Sequence, residues 1–298
     1  MFKRVALFLA TNLAIIVVIS LILSIFNIAP YLTQYGLDYQ SLLIFASIIG
    51  FTGSLISLFI SKWMAIHAYN VKLIDKPTNE SEFWLTAKVR QLATQRNIGM
   101  PDVGIYESPE PNAFATGWNK NKALVAVSTG LLTSMKADEV EGVLGHELSH
   151  VANGDMVTMT LIQGVVNTFV IFFARIAAFF VTQFFRKDDA EPLQEGFVYY
   201  GVAIVFELFF GILASLIVMW FSRHREFRAD AGSARYVGKD KMISALQRLQ
   251  QLMERTPEDN RAPALNTMKI SVRSSWLSLF SSHPPLEKRI EALQKHRR

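Results

Sequence analysis

His146, Glu147 and His150 stand in the order H-E-x-x-H. On a helix, residues four apart share a face one turn apart, so the two imidazoles would project to the same side. Two neutral imidazoles so placed can fill two corners of a tetrahedral zinc site. The carboxylate of Glu147 could then reach a water activated at the metal and act as general base in peptide hydrolysis. The pattern alone can arise by chance, so its context must decide. Val140, Val143, Leu144, Leu148 and Val151 recur at helical spacing and form one apolar stripe. Asp138 and Glu139 suit the positive start of a helix, and Asn153-Gly154 suits its end. The spacing predicts a helix over 139–153 that carries the motif.

A catalytic zinc needs a third protein ligand, with one position left for water. Glu226 and Asp230, four apart in Glu226-Phe227-Arg228-Ala229-Asp230, are the best candidates. Glu226 would be the ligand. Asp230 would accept a hydrogen bond from a ligand imidazole and fix its tautomer. The plainer alternative is that both pair with Arg223, Arg225 and Arg228 on a solvated face. His224 is a rival ligand, but two residues from Glu226 it would face another side of the helix. His283, in Ser282-His283-Pro284-Pro285, could help to hold an oxyanion, or could be a solvated residue at a helix start. Asn112 precedes an apolar strand and could hold a substrate carbonyl at a sheet edge, or could be an ordinary turn residue.

Composition limits the setting for such a site. Of the 298 residues, 51% are hydrophobic. The mean hydropathy of +0.25 is too high for an ordinary soluble domain. There is no cysteine, which excludes disulfides and thiolate metal sites and leaves histidine and carboxylate as ligands. The net charge of +5 is modest, and Lys and Arg cluster near apolar segments. That suits an anionic membrane surface, and no nucleic-acid motif or glycine-rich phosphate loop is present.

Four segments, 5–26, 41–60, 157–181 and 196–221, are long and apolar enough to span a bilayer. The first reads as an uncleaved anchor, because its run is long, no small-x-small cleavage site is clear, and a second span follows. Lys3 and Arg4 precede the first span, Lys62 and Lys72 follow the second, and Arg223, Arg225 and Arg228 follow the fourth. Between the third and fourth spans, Arg186 and Lys187 are outnumbered by acidic residues. The positive-inside rule therefore puts both termini and the motif helix in the cytoplasm. Arg175 and Glu207 are charges inside apolar spans. Counted from the hairpin turn, they lie within about two helical turns of one depth. Either they pair inside the bundle, or Arg175 snorkels outward and Glu207 is protonated.

The polar remainder reads as a helix over 81–96, strands over 103–106 and 123–127 separated by a turn-rich 109–122, and the motif helix. Helices over 222–236, 241–254 and 286–295 follow, with an irregular polar stretch at 256–275. The expected architecture is mainly α with a small β-sheet: four transmembrane helices plus a zincin-type cytoplasmic catalytic domain split by a transmembrane hairpin. Its boundaries would be 1–60 for the N-terminal hairpin, 61–156 for the first catalytic part, 157–221 for the second hairpin and 222–298 for the rest. Because the hairpin runs between the H-E-x-x-H helix and Glu226, the site should lie close to the cytoplasmic membrane surface. A membrane protein substrate would use that placement; a small soluble one would not need it.

Four segments carry a resemblance: Pro111-Asn112-Ala113-Phe114-Ala115-Thr116-Gly117, Val143-Leu144-Gly145-His146-Glu147-Leu148-Ser149-His150, Ser222-Arg223-His224-Arg225-Glu226-Phe227-Arg228-Ala229-Asp230, and Ser282-His283-Pro284-Pro285-Leu286-Glu287-Lys288-Arg289-Ile290. Together, in that order, they resemble the HtpX family of bacterial membrane proteases, which is related to the CAAX prenyl proteases. The resemblance covers essentially the whole chain. It implies a zinc endopeptidase of the bacterial inner membrane, active in stress-response quality control of misfolded membrane proteins. It further implies one zinc ion on His146, His150 and Glu226, catalysis by Glu147, and work alongside an ATP-dependent membrane protease. It strengthens the roles of Asp230 and His283, and to a smaller degree that of Asn112. Two rival readings are a peptidase that trims prenylated C-termini and a non-catalytic membrane adaptor with a structural metal.

Overall fold

A computed structural model describes residues 37–185, 192–255 and 281–295. In chain order these form α1 (Tyr39–Ala68), β1 (Lys72–Leu73), α2 (Glu80–Gln95), β2 (Asp102–Tyr106), β3 (Ala113–Thr116), β4 (Leu124–Ser128), α3 (Thr129–Ser134), α4 (Ala137–Asn153), α5 (Asp155–Phe184), α6 (Pro192–Val237), α7 (Lys239–Arg255) and α8 (Leu286–Lys295). The chain divides into two units, Met1–Ile56 with Thr160–Val218, and Ser57–Met159 with Met219–Arg298.

The first unit is apolar. Helices Tyr39–Ala68, Asp155–Phe184 and Phe197–Val237 contain windows of mean hydropathy 2.2, 2.0 and 2.6, and are long enough to cross a membrane. The expected span at 5–26 lies outside the described residues. Within this unit Leu43, Ala46 and Phe51 of α1 pack on Phe172 and Ile176 of α5. Small residues let these helices approach: a Cβ on Gly164 would lie 2.5 Å from the Phe51 ring, and one on Gly50 would lie 2.8 Å from the Thr168 backbone. Arg175 Nη2 and Glu207 Oε1 are 3.3 Å apart. The Arg175 guanidinium also sits 5.5 Å from the Tyr200 ring centre, so the charges inside the apolar helices meet each other.

The second unit is built on a mixed four-stranded sheet in the order β1-β2-β4-β3. Strands β2 and β4 are parallel, and the other two pairings are antiparallel. Alternation sorts the side chains. Val103, Val125, Val127, Ala113 and Ala115 face a core that includes Val140, Leu144, Leu148 and Val151 of α4. Tyr106, Phe114, Leu124 and Ala126 face the other way, onto Val71, Ala65 and Ile66. Leu85, Val89, Leu92 and Ala93 of α2 close the core from the side.

Two local expectations are corrected. The stretch 109–122 is not only turns; it contains β3, whose four residues are too short for a period-two signal beside Pro111 and Gly117. The helix expected at 222–236 is not separate, since α6 runs without a break from Pro192 to Val237. No proline interrupts it, and it stops at Gly238, whose φ of 106° suits a residue without a side chain. The irregular stretch expected at 256–275 lies outside the described residues.

Candidate metal centre

Helix α4 starts where the Glu139 carboxylate accepts a hydrogen bond from the Lys136 backbone N–H at 2.7 Å. It ends at Gly154, left-handed with φ 68°. Its apolar stripe is buried in the sheet core, and this fixes the helix rotation that presents His146 and His150, one turn apart, on a flanking face. Both histidines are buried, while Glu147 is only half-buried. From α6, Glu226 and Asp230 enter the same region at 0% and 1% exposure. That rules out a solvated face for the two acids. His224 is exposed, with Nδ1 3.1 Å from the Trp220 carbonyl and its ring against Trp220, outside this cluster.

The approach of α4 to α6 is close because small residues line it. A Cβ on Gly145 would lie 2.6 Å from Ser233 Oγ, and one on Gly232 would lie 2.6 Å from Ser149 Oγ. Ser233 donates to the Gly142 carbonyl at 2.8 Å. Arg96, which ends α2, donates from Nη2 to the Gly145 carbonyl at 3.0 Å and to the Gly232 carbonyl at 2.9 Å. One guanidinium thus joins the backbone beside His146 to the backbone beyond Asp230.

His146 Nε2 and His150 Nε2 are 3.1 Å apart. His146 Nε2 lies 3.4 Å from Glu226 Oε2, and His150 Nε2 lies 3.3 Å from Glu226 Oε1. A tetrahedral centre with bonds of about 2.0–2.1 Å separates its ligand atoms by about 3.3 Å, so these spacings fit zinc. Two further observations agree. Each imidazole has its Nδ1 against a carboxylate, His146 on Asp230 at 2.8 Å and His150 on Asp155 at 2.6 Å. With Nδ1 donating, a neutral imidazole presents its Nε2 lone pair to an ion, and here the two Nε2 atoms converge. Glu226 Oε1 is buried without a hydrogen-bond partner among the described residues. A buried carboxylate oxygen left so is costly unless it binds something.

Charge is shared over a wider network. Burial alone would push the His150 imidazole toward neutrality, but Asp155 and Glu226 outweigh it and raise its pKa to about 9. His146 shifts up for the same reason, burial being overcome by Asp230 and Glu226. Burial would raise the Glu226 carboxyl, yet the imidazoles of His146, His150 and His283 around it hold it far below the usual range. His283 Nδ1 is 2.7 Å from Glu226 Oε2, on the carboxylate itself. Asp230 is also held low, with burial overcome chiefly by Arg289. Arg289 of α8 is buried and donates from Nε to Asp230 Oδ2 at 2.7 Å and from Nη2 to Asp230 Oδ1 at 2.6 Å. Asn112 is exposed at the start of β3, and its backbone exchanges hydrogen bonds with Ser128. Among the described residues β3 is one of the two edge strands of the sheet.

His146, His150, Glu226, Asp230 and His283 are therefore brought together, Glu147 follows His146 on α4, and Asn112 stands at the sheet edge. Sequence reasoning missed Arg289 and Asp155. Asp155 had a usable signal, an acid just past the glycine that ends the motif helix. Arg289 had only its place in the segment after His283.

The sequence pattern of Peptidase family M48 matches residues 79–297. The chain is 56% identical over 298 residues to Protease HtpX of Idiomarina loihiensis, covering 99% of this chain and 100% of that one. It is 55% identical over 299 residues to Protease HtpX of Tolumonas auensis, with 99% and 100% covered. It belongs to the HtpX proteases of peptidase family M48. Among related chains, the Protease HtpX homolog of Methylacidiphilum infernorum is 54% identical over 299 residues, with 99% of each covered. The crystal structure of S. mikatae Ste24p shares the fold, with a TM-score of 0.63 at 18% identity over 97% of this chain and 67% of that one. This HtpX-type chain is thus a membrane metalloprotease, mainly helical with a small mixed sheet, in which His146, His150 and Glu226 form a cluster able to hold a metal ion.

Proposed function

We propose that the protein is a zinc endopeptidase that cleaves misfolded or damaged membrane proteins at the cytoplasmic face of a bacterial inner membrane. The convergence of His146 Nε2, His150 Nε2 and the Glu226 carboxylate within 4.8 Å of one another carries this reading. Three donors rather than four among the described residues support a catalytic metal over a structural one. The setting supports a substrate in the membrane: His150 is followed at once by α5, and Glu226 continues the apolar stretch of α6. The excess of Lys and Arg beside Lys3, Lys62 and Arg223 supports the cytoplasmic orientation.

His146, His150 and Glu226 would hold the ion, with Asp230 fixing the His146 tautomer. When bound, zinc acidifies a water toward neutrality and polarises the scissile carbonyl. Glu147, beside His146 on α4, would act as the base that takes a proton from the attacking water and returns it to the leaving amine. His283 lies against Glu226, where it would help to hold the oxyanion. An extended substrate would add to the edge of β3, with Asn112 at its start holding a backbone carbonyl.

The test uses Glu147→Ala, purified in detergent and loaded with zinc. Zinc content equal to the parent and loss of membrane-protein cleavage are expected. Equal cleavage by the variant would overturn the assignment. A farnesylated peptide assayed beside the membrane protein separates this specificity from trimming of prenylated C-termini.

A further inference from the structure

We propose that Asp155 is a positioning residue of the metal site, the counterpart for His150 of what Asp230 is for His146. The inference rests on the reading of His146, His150 and Glu226 as zinc ligands.

Asp155 is the first residue of α5 and only 1% exposed. An acid at a helix start interacts favourably with the N-terminal dipole by about 0.3–1 kcal/mol while remaining in water. Nothing in that role calls for burial, which penalises a carboxylate unless it finds partners. Asp155 finds two. Its Oδ2 accepts from His150 Nδ1 at 2.6 Å, and its Oδ1 lies 3.4 Å from Arg228 Nη2. The left-handed Gly154 lets α4 end and α5 begin one residue apart, which turns the Asp155 side chain back onto the last turn of α4.

Each ligand histidine therefore has a carboxylate behind it and a guanidinium behind that. His146 leads to Asp230 and Arg289; His150 leads to Asp155 and Arg228. The two relays differ in burial. The Arg289 side chain is 7% exposed and makes two short bonds to Asp230. The Arg228 side chain is 65% exposed and makes one longer contact. A solvated guanidinium is screened and drains little charge from its partner. Asp155 therefore keeps more of its negative charge for His150, fixes the Nδ1–H tautomer, and strengthens Nε2 as a donor toward the ion.

Zinc affinity of the full chain in detergent, by chelator competition, tests this in the parent, Asp155→Asn, Asp155→Ala and His150→Ala. Asparagine keeps a polar helix start but cannot carry the charge. Affinity about 10–100-fold weaker is expected for Asp155→Asn, and at least as weak for Asp155→Ala. Nitrogen NMR of the zinc-loaded parent should find His150 as the Nδ1–H tautomer, a readout that needs no variant to fold. Affinity of Asp155→Asn within twofold of the parent, or an Nε2–H tautomer in the parent, overturns the proposal. If His150→Ala binds zinc as tightly as the parent, the ligand reading itself fails and takes this inference with it.

Discussion

His146 Nδ1 and Asp230 Oδ1 lie 2.8 Å apart although 84 positions separate them in the chain. Behind Asp230 stands Arg289, bonded to both of its carboxylate oxygens. The three form a buried line of imidazole, carboxylate and guanidinium contributed by α4, α6 and α8. Removing Arg289 or Asp230 alone leaves the buried charge of the other uncompensated, whereas removing both does not. Arg289→Met should destabilise the protein by about 3–5 kcal/mol, and Arg289→Met with Asp230→Asn by clearly less than the sum of the single effects. Denaturant melts of the four proteins check this. Additive losses would mean that the contact carries no coupling.

Zinc uptake should depend steeply on pH. Protons and the ion compete for the same imidazole nitrogens, and His150 holds its proton up to about 9. Apparent zinc affinity should therefore climb as pH rises from 6 toward 9, by about tenfold per unit for each proton displaced. The zinc-free protein has the opposite linkage at this residue. Its stabilisation by protonated His150 is complete below the ordinary value of 6.5 and is lost as pH rises through about 9. Chelator competition and melts across that range read the two trends separately, and a flat zinc affinity would contradict the first.

Glycine at 145 is a matter of space rather than flexibility. Replacing a mid-helix glycine by alanine usually stabilises by about 0.5–1 kcal/mol. At Gly145 the new methyl would lie 2.6 Å from Ser233 Oγ and 3.1 Å from Val237. Overpacking of about 1–3 kcal/mol should outweigh the helix gain and reverse the sign. Gly145→Ala should lower the melting temperature, whereas Gly211→Ala, with nothing within 4 Å, should not. Because the displaced neighbour sits on α6, Gly145→Ala should also weaken zinc binding.

Within the apolar helices, Arg175 and Glu207 should be energetically coupled. Their charged groups are 3.3 Å apart, so losing either leaves the other without its partner. Arg175→Ala and Glu207→Ala should each destabilise the detergent-solubilised protein. The double variant should fall short of their sum by about 0.5–3 kcal/mol. Additivity would return Arg175 to snorkelling as its sole role.

Much of the H-E-x-x-H helix was legible because it repeats locally. Val140, Val143, Leu144, Leu148 and Val151 state both its existence and its rotation, and the glycine that ends it is written at position 154. Helix α8 was equally plain over Leu286–Lys295, since its apolar residues recur at helical spacing. Strand β3 was hidden because four residues between turn formers offer too few alternations. The junction inside α6 was misplaced because hydropathy falls after Phe221 while helix geometry does not. Arg289 carried no local sign, because its contact to Asp230 spans 59 positions and only the packing of α8 creates it. Asp155 differs: the acid is adjacent to the motif helix, but nothing local says that Gly154 folds it back onto His150.

Helix α6 runs 46 residues without interruption, from the apolar stretch through Glu226 and Asp230. Glu226 and Asp230 stand one turn apart on that helix, so they share one angular setting. A rotation that withdraws the Glu226 carboxylate from His146 Nε2 also withdraws Asp230 from His146 Nδ1. The helix therefore presents the two acids to His146 together or not at all.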